Sequence, residues 1–570
     1  MAQLPNELYR QILSPLDGAT LRACRLAGRS IHQAATELLF RSVSLKIELI
    51  TISNGHRANQ DEDRDPFQDQ VDEDCKSRSR SHNSFIQIAK APHLRPWVRE
   101  VTVDAKSTAV PYLHDHTLVP HPFLYALPFL QLFTGLKVLK VIFGKRLSAG
   151  LHGGPDLNGF GGGGFLPVHQ SEPFARLVLD TCLRCLAGQW TGERQVRIQH
   201  ELLGRHNQKL STQWPALLAT TSSSDTAGPK MEANTLAISN LPVSMQLVMP
   251  ELMLACKESL TNLQLQFPSG PWDTFHNLPR QAGDRFDYFQ NQLPKAWIPP
   301  PIAQNLRVLS LYYENYWGWA PKFDFRTINP GVGLPNLRVL SLGCFVFTHE
   351  WQVDWIASLG RRSQQPNDGR EGGGGLDALY LKDCPIMWEA RVHSALDEST
   401  TEIPKADGSG EVVRISNAGY PTDESLELPG GDGNGGGNNL GNLIEVSFPL
   451  RWSTVLNRWS ETMASSSTGS LRVFVMGSGP WGQVNYRSWQ RLPVSSTGLL
   501  QYVHFDIGLD PEPFIEQDDR RRLMMEDDGL EAYNAARLAD YDAYNVLVST
   551  IEERLRRSKE VPWVGKGLTY

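Results

Sequence analysis

Apolar and polar positions along this chain fall into a short spacing, L-x-x-L-x-L, that returns seven times. Leu306, Leu309 and Leu311 are followed one unit later by Leu337, Leu340 and Leu342, and the heptapeptide NLRVLSL stands whole at 305–311 and 336–342. The same spacing holds Leu260, Leu263 and Leu265, and again Leu376, Leu379 and Leu381. With substitutions it holds Leu136, Leu139 and Val141; Leu471, Phe474 and Met476; and Leu500, Val503 and Phe505. The fourth and sixth positions lie two apart, the side-chain period of a strand, so they share one face, while the first turns in ahead of them. Each unit therefore predicts one short strand carrying three core side chains, and no unit buries its core without neighbours. HLRPWVREVTVD (His93 to Asp104), with Trp97, Val98, Val101 and Val103, is a candidate start of the stack, and TLAISNL around Leu236 and Ile238 a further strand.

The spacing becomes helical at both ends. Residues 3 to 40 read as three short helices: Pro5 at a first helical position with Leu8 and Ile12 four apart, Asp17 capping a second with Leu21 and Cys24, and Ser30 capping a third with Ile31, Ala34, Ala35 and Leu38, with Gly28 as the break. Leu4, Leu8, Ile12, Leu13 and Leu16 offer more apolar area than three short helices can cover, which predicts an external cover. Phe174, Leu177, Val178, Cys182, Leu183 and Leu186 mark a helical face within Phe174 to Gly188. In the last sixty residues, Leu538, Tyr541, Tyr544, Val548, Ile551 and Leu555 fall at alternating spacings of three and four; fewer than three heptads argues for a helix capping the last repeat rather than a coiled coil.

Composition changes this picture in two places. Ser53 to Ser84 carries eight acidic residues between Asp61 and Asp74 and then Lys76, Arg78 and Arg80, a run too polar to offset its ordering entropy, and it reads as a solvated loop or linker. Glycine-rich inserts at Gly153 to Phe165, Gly369 to Gly375 and Pro429 to Asn442 separate the structured units. With 55 basic and 62 acidic residues the net charge is -7, which advertises neither nucleic acid nor an anionic membrane. The first residues lack the basic and apolar regions of a secretory signal, no segment has the run of apolar residues that spans a bilayer, and the seven cysteines suit a reducing compartment; an intracellular, soluble protein, cytoplasmic or nuclear, is expected.

Three features invite a chemical assignment. His200 and Glu201 precede His206, but a zincin places its two histidines four apart so that both face one metal, and here they are six apart. His114, His116 and His121 lack a cysteine or carboxylate set fixed near them, and Cys182 and Cys185 lack a second pair at that spacing and fall on the buried side of a helix. No glycine tract continues into a phosphate-binding motif, so no catalytic residue, metal or cofactor is expected, and the protein is read as a non-enzyme. YYENYWGWAPKFDF (Tyr312 to Phe325) is either an interface cluster or a set of aromatics folded behind the strand.

The repeated spacing, with Cys344 and Cys384 after their strands, resembles the leucine-rich repeat, although first leucines at 136, 260, 306, 337, 376, 471 and 500 leave longer gaps than that family. LPNELYRQILSPLDGATLRACRLAGRSIHQAATELLFRSV resembles the F-box in Leu4, Pro5, Glu7, Leu8, Ile12, Leu13, Leu16, Asp17, Leu21 and Cys24, with Ile31 where many members have an aromatic residue. Together the resemblances imply an α/β chain: a three-helix F-box over 1–45, a linker over 53–84, an irregular leucine-rich-repeat-like solenoid over 85–510, and a helical cap over 511–570. They imply a substrate-recognition subunit of an SCF-type cullin-RING ubiquitin ligase. Leu4, Pro5, Leu8, Ile12, Leu13 and Leu16 would dock on its Skp-type adaptor. Arg307, Ser310, Tyr312, Tyr313, Arg338 and Ser341 are the positional candidates for contact with a target protein, since residues between the leucines point to the family's concave surface. The alternative is a repeat scaffold with no ubiquitin role, its amino-terminal helices serving as a cap.

Overall fold

The computed structural model of the chain describes residues 5–47, 80–106, 121–144, 172–203, 231–243, 250–268, 286–360, 375–426, 443–464, 469–477, 500–507, 514–516 and 527–558. It divides into two compact units, Met1–Leu260 and Thr261–Tyr570. Both are mixed α/β and built around parallel strands.

In the first unit, helices α1 (Asn6–Leu13), α2 (Gly18–Ala27) and α3 (Arg29–Phe40) run directly into strand β1 (Ser42–Lys46). β1 pairs in parallel with β2 (Glu100–Asp104), β2 with β3 (Val138–Ile142), and β3 with β4 (Thr235–Ser239). Val101, Leu139 and Leu236 stand opposite one another, as do Val103, Val141 and Ile238, and all six are 0–1% exposed. The alternate residues are mixed, Glu100, Thr102, Lys140 and Ser239 beside Val138, Ile142 and Ala237, and on that face Lys140 Nζ lies 2.8 Å from the Glu100 carboxylate. Strand β1 fits the L-x-x-L-x-L spacing only with substitutions, as Phe40, Val43 and Leu45, and is not among the seven marked copies. The helix Glu172–Ala187 buries the six apolar residues that the helical spacing marked. Of the expected loop 53–84, residues 53–79 lie outside the described residues, and 80–84 are instead the first turn of the helix Arg80–Lys90. Phe85 and Ala89 of that helix are fully buried, and this apolar pair offsets the cost of ordering its charged start.

In the second unit, β5 (Asn262–Phe267), β6 (Val308–Trp317), β7 (Val339–Phe345), β8 (Ala378–Lys382) and β13 (Val473–Gly477) pair in parallel in that order. The repeated spacing sets their register: Leu263, Leu309, Leu340, Leu379 and Phe474 form one row, and Leu265, Leu311, Leu342, Leu381 and Met476 the next. No member of either row is more than 4% exposed. The chain leaves β7 and β8 through left-handed turns at Cys344 (φ 56°) and Asp383 (φ 48°), and the Cys384 thiol donates to the Leu342 carbonyl at 3.3 Å. The seventh copy behaves differently. Its strand β14 (Tyr502–Asp506) joins a mixed sheet in the order β12 (Ile444–Ser447), β9 (Ile386–Val392), β14, β15 (Phe514–Glu516), and Leu500 is only partly buried. β10 (Thr400–Pro404) and β11 (Val412–Ser416) form a separate antiparallel hairpin.

The aromatic run that begins within β6 and continues past it is core: Tyr313, Trp317, Trp319, Phe323 and Phe325 are at most 2% exposed, and the Trp317 indole donates to the Gly343 carbonyl at 2.6 Å. The carboxy-terminal helix, Asp527–Ser558, lies along the helix Trp452–Trp459, with Tyr544 against Phe474 of β13. Its buried stripe is Asp540, Tyr544, Leu547 and Ile551, while Leu538 is 63% exposed. Asp540 explains this offset, because its carboxylate accepts from Ser453 N at 2.6 Å and from the Tyr502 hydroxyl at 2.7 Å, which draws a polar residue inward.

Candidate docking faces

Helix α1 has two apolar stripes. Leu13 is 5% exposed and packs with Leu21, Ala34 and Ala35, while Tyr9, Leu16, Cys24, Ile31, Leu38 and Leu39 close over that small core. Asp17 caps α2 by accepting from Thr20 N at 2.8 Å, a bond that holds its carboxyl below the ordinary range. Arg10 ties α1 to Glu37 of α3 at 2.7 Å. On the other stripe Pro5 is exposed and Leu8 is 41% and Ile12 58% exposed; in the last turn of α2, Leu26 is 88% exposed. A helix normally keeps one apolar side, so Leu8 and Ile12, four apart on α1, form an open apolar stripe on a bundle already satisfied internally. Two of the expected adaptor contacts move for this reason: Leu13 and Leu16 serve the bundle's own core. Leu4 lies outside the described residues, and Leu26, isolated in a polar neighbourhood of the sequence, gave no signal.

The expected target contacts separate in the same way. Arg307 is exposed and Arg338 partly so, both at the start of their strands, where the Arg307 carbonyl accepts from Arg338 N and Val339 N. Arg338 and Arg472 flank Asp377 at 3.6 and 3.8 Å, making a charged row along that end of the sheet. Ser310, Tyr312, Tyr313 and Ser341 are 2%, 8%, 1% and 0% exposed, so none of the four presents a surface. For Ser310, Tyr312 and Ser341 the cause is a second apolar cluster, Val308, Val339, Ala378 and Tyr380, on the face opposite the leucines, while Tyr313 lies on the leucine face against Phe289; a parallel sheet is commonly buried on both sides.

A polar network missed by the spacing sits at the root of the β10–β11 hairpin. His349 Nε2 lies 2.9 Å from the Ala418 carbonyl, which can only accept, so this nitrogen carries the proton and Nδ1 accepts from the Thr348 hydroxyl at 2.6 Å. Its ring stacks on Tyr420 at 4.5 Å, and Lys322 stands over the other side of the cluster, 4.3 Å from the Tyr420 ring and donating to Asn417 Oδ1 at 2.7 Å. Asp324 and Arg326 pair at 2.6 Å, and Arg326 reaches the Ser416 carbonyl at 2.9 Å. Burial is the main cause that lowers the His349 pKa to about 4 from 6.5. The unfolded chain takes up this proton near the ordinary value and the folded chain only near the lowered one. Stability is therefore complete above pH 6.5 and falls as the pH drops toward 4. The expected loss is on the order of 2 kcal/mol, seen as a lower urea midpoint at acid pH that shrinks in the His349→Gln variant; equal acid sensitivity of both proteins overturns it.

Among the described residues no group of three or more His, Cys, Asp and Glu comes together as metal ligands would. His200 and Glu201 are exposed on a helix, and His206, His114 and His116 lie outside the described residues. Cys182 and Cys185 are fully buried, and burial pushes both thiols up. The thiolate is the reactive form, so neither is expected to react with a maleimide at neutral pH until urea opens the unit, as read by peptide mass mapping. Rapid native labelling of either would contradict that burial. Among the described residues no helix is long and apolar enough to cross a membrane.

No protein-family model matches the chain, and no curated protein sequence matches it.

Proposed function

We propose that the chain is a substrate-recognition subunit of an SCF-type cullin-RING ubiquitin ligase, binding a Skp-type adaptor through its amino-terminal helices and a target protein through its second unit. The observation that carries this reading is the exposed stripe Leu8 and Ile12, which lies within the segment resembling the F-box, on a bundle whose own core is filled by other residues. Covering each such side chain contributes roughly 1.5–3 kcal/mol, enough for a partner helix to dock there. The in-register rows of L-x-x-L-x-L residues support a leucine-rich-repeat-like role for the parallel strands, in which a stacked core holds loops that select the target. Such a receptor performs no bond chemistry. It raises the effective concentration of target lysines near the charged conjugating enzyme, and the rate gain comes from proximity.

Mixing the purified full chain with a purified Skp-type adaptor and separating by size tests the proposal. A co-eluting complex at micromolar concentrations is the expected result. Independent elution removes the receptor reading and leaves the repeat scaffold, whose amino-terminal helices only cover the first strand.

A further inference from the structure

One position of the repeat carries a charge pattern that the core does not explain. In strands β1 to β8 and β13, the residue after the first apolar position is in turn Arg41, Arg99, Lys137, Asn234, Thr261, Arg307, Arg338, Asp377 and Arg472. Within each unit these residues are equivalent, because the carbonyl of each accepts from the backbone N–H of the next. In the first unit Arg41 accepts from Arg99, Arg99 from Lys137, and Lys137 from Asn234; in the second Thr261 accepts from Arg307, Arg307 from Arg338, Arg338 from Asp377, and Asp377 from Arg472. Six of the nine are cationic, in a chain whose net charge is -7.

The second unit neutralises part of its share, since Arg338 and Arg472 flank Asp377. The first does not. Arg41 and Arg99 are exposed, and neither has a carboxylate partner among the described residues. The Arg99 guanidinium donates to the Gly135 carbonyl at 2.9 Å, which holds it at the end of the sheet. The acidic residues beside them in the chain are taken: Glu37, one turn before Arg41, pairs with Arg10, and Glu100 pairs with Lys140. Lys137 pairs with Glu232 at 3.0 Å, but their side chains are 41% and 80% exposed, and water screens such a pair. Arg25 of α2 brings a further cation, its guanidinium 5.6 Å from the ring of Phe40, the residue before Arg41. With the two closed pairs set aside, Arg25, Arg41, Arg99 and Lys137 stand against one carboxylate, Glu232.

We infer that this end of the first unit's sheet docks an acidic segment of a partner protein. Adjacent strands lie about 4.8 Å apart, so Arg41, Arg99 and Lys137 offer positive charge at close to the roughly 5–6 Å that separates Glu or Asp side chains one turn apart on a helix. A partner helix with three such carboxylates meets the three cations in turn. A long polyanion such as nucleic acid overruns this short column onto a chain of net negative charge, so a segment of a few turns is the better fit. Exposed charge of this kind steers encounter and fixes register, and its effect falls as salt rises. The inference does not rest on the receptor reading, because it needs no adaptor and uses neither Leu8 nor Ile12.

The test is fluorescence anisotropy of the full chain with a labelled helical peptide that carries Glu at spacings of three and four. Its counterpart with Gln in place of Glu, and a single-stranded DNA oligonucleotide of the same net charge, are measured beside it. The Glu peptide is expected to bind about tenfold or more tightly than the Gln peptide at low salt, and to lose that advantage as salt rises. Arg41→Glu and Lys46→Glu make the same charge change on exposed residues at opposite ends of β1. The first is expected to weaken the Glu peptide by about tenfold and the second by no more than about twofold. Arg99→Gln, a milder change that guards against a folding defect, is expected to weaken it by about threefold. Equal binding of the Glu and Gln peptides, equal effects of Arg41→Glu and Lys46→Glu, or tighter binding of the DNA than of the Glu peptide overturns the proposal. Peptide binding that emerges only when the acidic residues of 61–74 are changed to Asn and Gln makes that run the occupant, and overturns the partner reading too.

Discussion

The double variant Leu8→Asp/Ile12→Asp is expected to lose adaptor capture while its fold is unchanged. Both side chains are exposed, at 41% and 58%, and neither belongs to the cluster of Leu13, Leu21, Ala34 and Ala35 that holds the three helices together. Aspartate there costs the free chain little, since surface substitutions away from special features stay within about 0.5 kcal/mol. Against a docked partner it removes two apolar contacts and buries two carboxylates without counterions, so the affinity should fall by about a hundredfold or more. The control is Leu13→Asp. That position is 5% exposed, so this variant should melt the bundle and lose capture through unfolding, visible as lost helical circular dichroism. The reading is sunk if the double variant captures the adaptor as well as the parent does. If it instead melts like Leu13→Asp, the stripe is covered within the protein and the helices are a cap.

Trp317→Ala is expected to be the most damaging single change in the second unit. The indole is 1% exposed and lies 5.1 to 5.5 Å from the rings of Phe289, Phe323 and Phe345, so truncation opens a cavity among aromatics with no small side chain placed to fill it. Gly318 limits collapse from one side: its φ is +102°, and an added Cβ would lie 2.6 Å from the Phe345 ring, so backbone and ring already touch. Large aromatic-to-alanine changes in cores cost about 3–5 kcal/mol, and the Gly343 carbonyl would lose its indole partner as well. Urea denaturation followed by circular dichroism should show the loss as a lower midpoint. Trp317→Phe keeps most of the volume and should cost about 1–2 kcal/mol, mainly the lost hydrogen bond. An alanine variant no less stable than the phenylalanine one would show that packing around the ring is unimportant.

The strands marked by L-x-x-L-x-L were legible because the two periods that matter, two for a strand and 3.6 for a helix, are written in which residues are apolar. Leu309 and Leu340 were placed inward from spacing alone, and the structure pairs them in register. Ser310 and Ser341 were read as surface because alternation makes the residue between two inward leucines point outward. That direction is right, but outward from one core is inward to the cluster of Val308, Val339, Ala378 and Tyr380, and a local pattern carries no information about a second layer. Strand β1 escaped notice because its copy of the spacing, Phe40, Val43 and Leu45, has only one leucine, and it is β2, far along the chain, that supplies its ladder.

What the sequence by itself determined was therefore the local: the helix spacing of the amino-terminal segment and the strand and core positions of six repeats. Only the tertiary structure decided which apolar residues remain uncovered. Leu8 and Leu13 are both leucines on one short helix, and only the packing of α3 against α1 separates an exposed stripe from a buried one. It also decided that His349, Tyr420, Lys322 and Arg326 meet at one hairpin root. Residues about a hundred positions apart come together there through the path of the backbone, and no periodicity in the text records a meeting of that kind.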